Sequence, residues 1–210
     1  AALLGKEVTA LVELKARFEE ETNIDWAEQL EAVGVQVVYG VVGLKTHAKM
    51  LLITRREGHR LRRYGHLSTG NYNPRTAKLY TDISYLTSDS DITSDMDALF
   101  LHLANQNRLP KMRQLVVSPF HLHTHMLQWI AKASQAARQS KDARIILKMN
   151  ALTDAPLIEA LMSASQSGVN IDLIIRGACT LPAGIPGKSD RIRVRSVIGR
   201  FLDHSRVIYF

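Results

Sequence analysis

Two tripeptides carry the most chemical information in this chain: His47-Ala48-Lys49 and His204-Ser205-Arg206. An imidazole can attack phosphorus or move a proton, and a nearby cation can neutralise phosphate oxygens. On a strand, residues two apart point to the same face, so each tripeptide could present both groups together. Each opens an apolar run, and the two runs sit in halves of the chain that look alike. Two such copies could face one phosphoryl group. The tripeptide alone is a weak signal: with 8 His and 27 Lys+Arg in 210 residues, about one copy arises by chance. The surrounding elements and residues have to carry the case.

The elements that would position these residues repeat in order. Residues 8–14 read as a buried strand. Thr22-Asn23-Ile24-Asp25 can cap a helix that carries Trp26, Leu30 and Val33 on one face and stops at Gly34. Residues 35–39 read as a second strand, and residues 47–54 as a third. A polar hairpin turn follows over residues 55–61, with Gly58 at its tip, and residues 64–67 return as a strand. The second half begins with a strand over residues 144–149. Thr153 and Asp154 cap a helix with Pro156 early in it, and that helix ends at Gly168. Strands follow over residues 169–175 and 191–197, and His204 opens the last one. A Gly/Pro-rich insertion over residues 176–190 has no counterpart in the first half. Residues 92–108 read as a helix. Two strand-helix-strand-strand units imply an internal duplication, with the second unit beginning near residues 113–119.

Composition narrows the classes. A chain that is 46% apolar suits a packed core. No apolar run reaches the roughly 18 residues that cross a bilayer, and no secretory leader is evident. The single Cys179 excludes an internal disulfide and fits a reducing cytoplasm. The chain begins at Ala1 and ends within the apolar run 207–210, which reads as a piece of a longer protein. The net charge is +7. Arg55, Arg56, Arg60, Arg62 and Arg63 form one basic stretch; Lys188, Arg191, Arg193, Arg195, Arg200 and Arg206 form another. Such a field attracts polyanions, although a solvated basic surface is the commoner explanation of a charge cluster.

The arrangement resembles the phospholipase-D-like superfamily, whose halves each give a His and a Lys to one site. Longer blocks narrow the likeness. Residues 44–49 (Leu-Lys-Thr-His-Ala-Lys), 68–73 (Ser-Thr-Gly-Asn-Tyr-Asn) and 77–82 (Ala-Lys-Leu-Tyr-Thr-Asp) resemble the signature run of the histidine-phosphorylating polyphosphate kinases. So do residues 12–18, 173–177 and 203–206. The chain departs from the phosphodiesterase pattern at Thr54, where an Asp is usual, and at Arg206, where a Lys is usual; both departures fit the kinase branch. The resemblance implies an α/β fold of two phospholipase-D-like strand-helix-strand repeats with mixed sheets and flanking helices. Residues 1–114 would form the first domain, lacking its N-terminal part, and residues 115–210 the second, lacking its C-terminal part.

The same resemblance implies reversible transfer of the terminal phosphoryl of ATP to inorganic polyphosphate through a phosphohistidine, with Mg2+ as cofactor. His47 would be the nucleophile, with one ring nitrogen free and the other tied to an acceptor. Lys49 would face the transferring phosphoryl. His204 would assist departure of ADP. Tyr80, Arg176 and His204 match positions that contact ATP. Arg17 matches the magnesium-phosphate position; a guanidinium has no lone pair for a metal, so it would touch the phosphate the metal carries. Asn71 and Asn73 either donate to the phosphoryl group or serve the turn at Gly70, and Arg206 supports the second tripeptide. The implied partners are ATP, ADP and polyphosphate, with a homo-oligomer for the full-length protein, no nucleic acid and no transmembrane segment. The implied location is cytoplasmic, with membrane association left open.

Other readings remain. A phosphodiesterase or nuclease would use the same histidines on a diester. A non-catalytic nucleic-acid module would use the basic stretches, but aromatic residues are only 6% and none interleave with the arginines as stacking requires. His121, His123 and His125 alternate as metal ligands on a strand would. They follow Ser118-Pro119, however, a helix start, and on a helix residues two apart diverge.

Overall fold

The computed structural model describes residues 1–13, 20–41, 43–105 and 108–210. Arg17 and the end of the first expected strand lie outside them. The chain divides into two compact units: residues 1–65 with 87–115, and residues 66–86 with 116–210.

In the first unit β1 (Thr9–Leu11) pairs in parallel with β2 (Gln36–Val38). Between them lies α1 (Glu20–Ala32), and Gly34 closes it with a φ of 84°, a left-handed conformation that favours glycine. Three expectations need correction here. β1 is shorter than residues 8–14 and is not fully buried. α1 starts ahead of Thr22-Asn23-Ile24-Asp25, so those residues lie inside the helix rather than capping it. Its inward residue is Ala27, whereas Trp26 is 56% exposed and Val33 is also exposed. Spacing on a short helix marks a face but not which face is covered.

β3 (Lys49–Glu57) and β4 (Arg60–Ser68) form a hairpin turned at Gly58, whose φ is 61°. The strands run closer to the tip than expected because Glu57 collects the local cations. It lies 3.3 Å from Arg55 and 3.6 Å from Arg62, and accepts a 2.6 Å bond from the Tyr64 hydroxyl. α2 (Ser90–Asn105) lies against β3 and buries Met96 and Leu99. At Gly65 an added Cβ would stand 2.6 Å from Met96 Sδ, so a larger residue there would push the Met96 side chain aside.

The second unit holds the larger core. β7 (Arg144–Met149), β8 (Asn170–Ile175) and β9 (Ile192–Arg195) run parallel, and β11 (Val207–Tyr209) adds antiparallel to β7. The sheet order is β11-β7-β8-β9. α3 (Leu122–Arg138) and α4 (Ala155–Gln166) pack on it. Strand alternation explains the layering. Ile145, Leu147, Ile171, Leu173 and Ile175 join Met126, Ile130 and Leu161 in one buried cluster. α4 starts as its sequence dictates: Asp154 accepts from Leu157 N at 3.0 Å and Pro156 sits in the first turn. The same unit contains β5 (Tyr80–Thr81), β6 (Ser84–Thr87, through Leu86) and β10 (Leu202–Asp203), with β10 parallel to β5.

The opposite face of this sheet carries Asp172 at the centre of β8, 4% exposed. Its carboxylate meets Arg144 Nη2 at 2.8 Å, Arg195 Nη2 at 3.2 Å and Arg193 Nε at 3.8 Å. The Arg144 hydrogen bond is the main reason the carboxyl titrates below its ordinary value, working against burial and aided by Arg195 and Arg193.

Candidate active site

Each tripeptide folds in the same local way within its own unit. Lys49 Nζ donates to the His47 carbonyl oxygen at 2.6 Å, and Arg206 Nη1 donates to the His204 carbonyl oxygen at 2.9 Å. Neither histidine lies on a strand, which corrects the alternation argument. β3 begins only at Lys49, and His204 falls between β10 and β11. The cation of each tripeptide is tied to the histidine main chain instead of standing beside its ring on a strand face. His47 is exposed and Lys49 half-buried.

His204 sits in a prepared setting. Its Nδ1 lies 2.8 Å from Asp82 Oδ1, with side-chain exposures of 10% and 18%. Asp82 as a residue is exposed, but its carboxylate side chain is largely covered. Asp82 is fixed in turn: Thr69 Oγ1 donates to Oδ1 at 2.8 Å. Gly70 makes room for it, since a Cβ there would stand 2.7 Å from Asp82 Oδ2. The Tyr80 ring packs beside the imidazole, with centroids 5.2 Å apart and planes tilted by 47°. Parallel pairing places these groups together: Leu202 opposes Tyr80, Asp203 opposes Thr81, and His204 N donates to Thr81 O at 3.1 Å.

Arg176 leaves the end of β8 and is anchored at both sides of its fork. Nε donates to Asn150 Oδ1 at 3.0 Å, Nη2 donates to the same oxygen, and Nη1 donates to Asp203 O at 3.0 Å. Gly177 N reaches Asn150 O at 2.7 Å. Beside it, Lys148 Nζ is 2.8 Å from Asp203 Oδ1 and donates to Ser205 Oγ at 2.6 Å. Burial pushes the Asp203 carboxyl up, but hydrogen bonds from Lys148, Ser205 and Thr81 and the Lys148 charge outweigh it and hold its pKa below the ordinary value.

The remaining expected residues separate. Asn73 does turn work: its Oδ1 accepts from Arg75 N at 2.9 Å and Thr76 N at 3.1 Å. Asn71 is exposed after β4. His123 Nε2 meets Asp154 Oδ1 at 3.1 Å, and His125 Nδ1 meets its own helix at His121 O, 3.0 Å. No three His, Cys, Asp or Glu stand together as a metal cage among the described residues. Asp82, Thr69, Asn150, Lys148 and Asp203 were not singled out from sequence. The one signal for Asp82 was its place at the end of the 77–82 block, two residues after Tyr80.

The fold and the two histidine–cation turns define a phospholipase-D-like α/β protein. Comparison with known proteins specifies it. The family description "Polyphosphate kinase C-terminal domain 1" matches residues 1–109 and "Polyphosphate kinase C-terminal domain 2" matches residues 115–210. The chain belongs to the polyphosphate kinase family. It is 55% identical over its whole length to the polyphosphate kinase of Pseudomonas putida, of which it covers 29%, and 55% identical to that of Xylella fastidiosa, covering 30%. The corresponding figures for the Thermosynechococcus vestitus protein are 54% and 29%. The crystal structure of polyphosphate kinase from Porphyromonas gingivalis matches 98% of this chain and 31% of that one, with a TM-score of 0.86 and 37% identity. The chain thus spans less than a third of the length of these relatives. No helix among the described residues is long and apolar enough to cross a membrane.

Proposed function

We propose that this chain is the phosphoryl-transfer region of a polyphosphate kinase and works through a phosphohistidine at His47. In the first half-reaction the His47 nitrogen attacks the terminal phosphorus of ATP. The N–P bond forms, the bond to the bridging oxygen breaks, and ADP leaves. In the second, a terminal oxygen of polyphosphate attacks the same phosphorus and the N–P bond breaks. Both halves are reversible. The observation that most supports this reading is the Asp82–His204–Tyr80 cluster beside the anchored Arg176 fork. Asp82 occupies Nδ1 and directs Nε2 of His204 to the leaving oxygen, where it supplies a proton or a hydrogen bond. Arg176, held by Asn150 and Asp203 O, offers its remaining N–H groups to ATP oxygens. Lys49 and Arg206 add positive charge, Tyr80 packs against the nucleotide, and Asn71 donates to phosphate oxygens.

Magnesium enters this proposal only as the ion that ATP carries. The described residues provide no three-ligand cage, and a Mg2+ held mainly by substrate phosphates and water needs none. When bound, it would neutralise charge on the phosphates, and Arg17 would touch those phosphates. A cytoplasmic location and a homo-oligomeric full-length enzyme belong to the same reading. The test is isotope exchange: full-length protein without polyphosphate should pass label from ADP into ATP, as a covalent phosphoenzyme requires. Exchange that appears only when polyphosphate is added would refute the two-step route.

A further inference from the structure

In the second unit α3 and α4 cover one face of the sheet. On the opposite face the strand register sets Ile146 opposite Asp172 and Asp172 opposite Arg193, with Lys148 opposite Ile174 and Ile174 opposite Arg195. Three arginines converge on Asp172, yet their side chains remain 56%, 72% and 66% exposed for Arg144, Arg193 and Arg195. A fourth, Arg191, reaches Asn170 Oδ1 at 3.3 Å on the same strand. One carboxylate against the three arginines that surround it leaves two positive charges in surplus. Each guanidinium also has more N–H donors than these contacts use. A solvated basic surface needs no buried carboxylate at its centre. Here the carboxylate holds the Arg144 and Arg195 guanidinium groups by hydrogen bonds before any ligand arrives, which lowers the ordering cost of binding an anion.

The same face leads toward the candidate active site. Asn170, Asp172 and Ile174 alternate along it, and Arg176 comes next at the C-terminal edge of β8. Four residue steps of extended chain lead from Asp172 to Arg176, roughly 13 Å at strand rise. Lys148 lies on this face between them and reaches Asp203, next to His204. We infer that the Arg144–Arg193–Arg195 array is a secondary binding site for the body of a linear polyphosphate chain whose end lies at Arg176 and His204. This rests on the phosphoryl-transfer reading for the identity of the anion. Its geometry favours a long chain over a short one: a short chain at Arg176 reaches only Arg195, opposite Ile174, whereas a longer one also reaches Arg193 and Arg144.

The test is binding, which needs no turnover. Full-length protein, wild type and Arg193→Gln/Arg195→Gln, is titrated with long-chain polyphosphate, with tripolyphosphate and with a single-stranded RNA of matched charge, at two salt concentrations. The double variant should bind long chains roughly tenfold more weakly, with a salt slope smaller by about one to two. Tripolyphosphate affinity should shift less than long-chain affinity, because three phosphates reach from Arg176 to Arg195 but not on to Arg193 and Arg144. Arg193→Lys/Arg195→Lys keeps the charges around Asp172; it should unfold at the wild-type temperature and recover part of the long-chain affinity, which separates a binding loss from a folding loss. Unchanged long-chain affinity in the glutamine variant would overturn the site. Equal losses for tripolyphosphate and long chains would overturn the spanning geometry. An RNA loss exceeding the polyphosphate loss would reassign the surface to nucleic acid. Absence of ADP–ATP exchange in the wild type would count against the phosphohistidine route and leave these binding outcomes readable.

Discussion

At the scale of single residues, chemistry here depends on how side chains are held as much as on which ones are present. His204 is oriented by Asp82 through a 2.8 Å contact, and Asp82 is oriented by Thr69 and given space by Gly70. Asp82→Asn keeps the shape but replaces a carboxylate acceptor with an amide. If His204 assists departure of ADP, the rate of phosphoenzyme formation in full-length protein should fall roughly a hundredfold, with ATP affinity little changed, as rapid-quench measurement would show. A similar rate in the variant would remove Asp82 from the chemistry. Arg176 makes a second case. Lysine keeps its charge but cannot reproduce a fork bound on one side to Asn150 and on the other to Asp203 O. Arg176→Lys should raise KM for ATP by roughly tenfold or more, whereas Arg60→Lys, at the exposed start of β4, should leave it within about twofold. Equal effects in steady-state kinetics would reduce Arg176 to part of a diffuse positive field.

At the scale of elements, Asp95 shows how a carboxylate can serve the fold alone. It is buried in α2 and accepts from the main-chain N–H groups of Arg113 (2.9 and 3.0 Å), Gln114 (2.7 Å) and Leu115 (2.9 Å). Burial pushes its carboxyl up, but those three N–H donors and the Arg113 charge prevail, so its pKa lies below the ordinary aspartate value. A depressed folded-state pKa contributes stability that is present above the unfolded value of about 3.9 and disappears as pH falls through the folded value. Asp95→Ala should therefore cost about 3 kcal/mol near pH 7, and the gap from wild type should close as the pH drops below about 4. Chemical denaturation at a series of pH values reads this directly; a gap independent of pH would mean that lost packing, not the carboxylate, sets the cost. The sequence was most informative where local rules act alone. β7 coincides with residues 144–149, and Asp154 with Pro156 starts α4 as capping chemistry requires. It was least informative where tertiary covering decides. Trp26 looked inward by spacing and is exposed, and the apolar residues Leu51 and Ile53 of β3 are exposed too. The strand face expected to align His47 and His204 with their cations does not exist, since both histidines lie off the strands. A loop carbonyl, reached by Lys49 and Arg206, replaces it. Asp82 and Asn150 escaped notice because their partners lie 122 and 26 residues away, separations that no periodicity encodes.

At the scale of the whole molecule, the two units each carry one histidine–cation turn, and the matching family domains cover residues 1–109 and 115–210. The relatives are about three times longer than this chain, consistent with coverage of 28–31% among them, so activity has to be measured on the full-length protein. The net charge of +7 creates a field that attracts polyanions, and the arginines around Asp172 concentrate part of that charge on one sheet face. In the proposed route His47 carries the phosphoryl group between two half-reactions. The most direct test of that route is mass spectrometry, under conditions that preserve phosphoramidates, of full-length protein incubated with ATP alone. The peptide spanning residues 44–49 should gain one phosphoryl group on His47, lose it when ADP or polyphosphate is added, and never gain it in His47→Ala. A phosphoryl group on His204 or any other residue, or wild-type labelling of His47→Ala, would contradict the account.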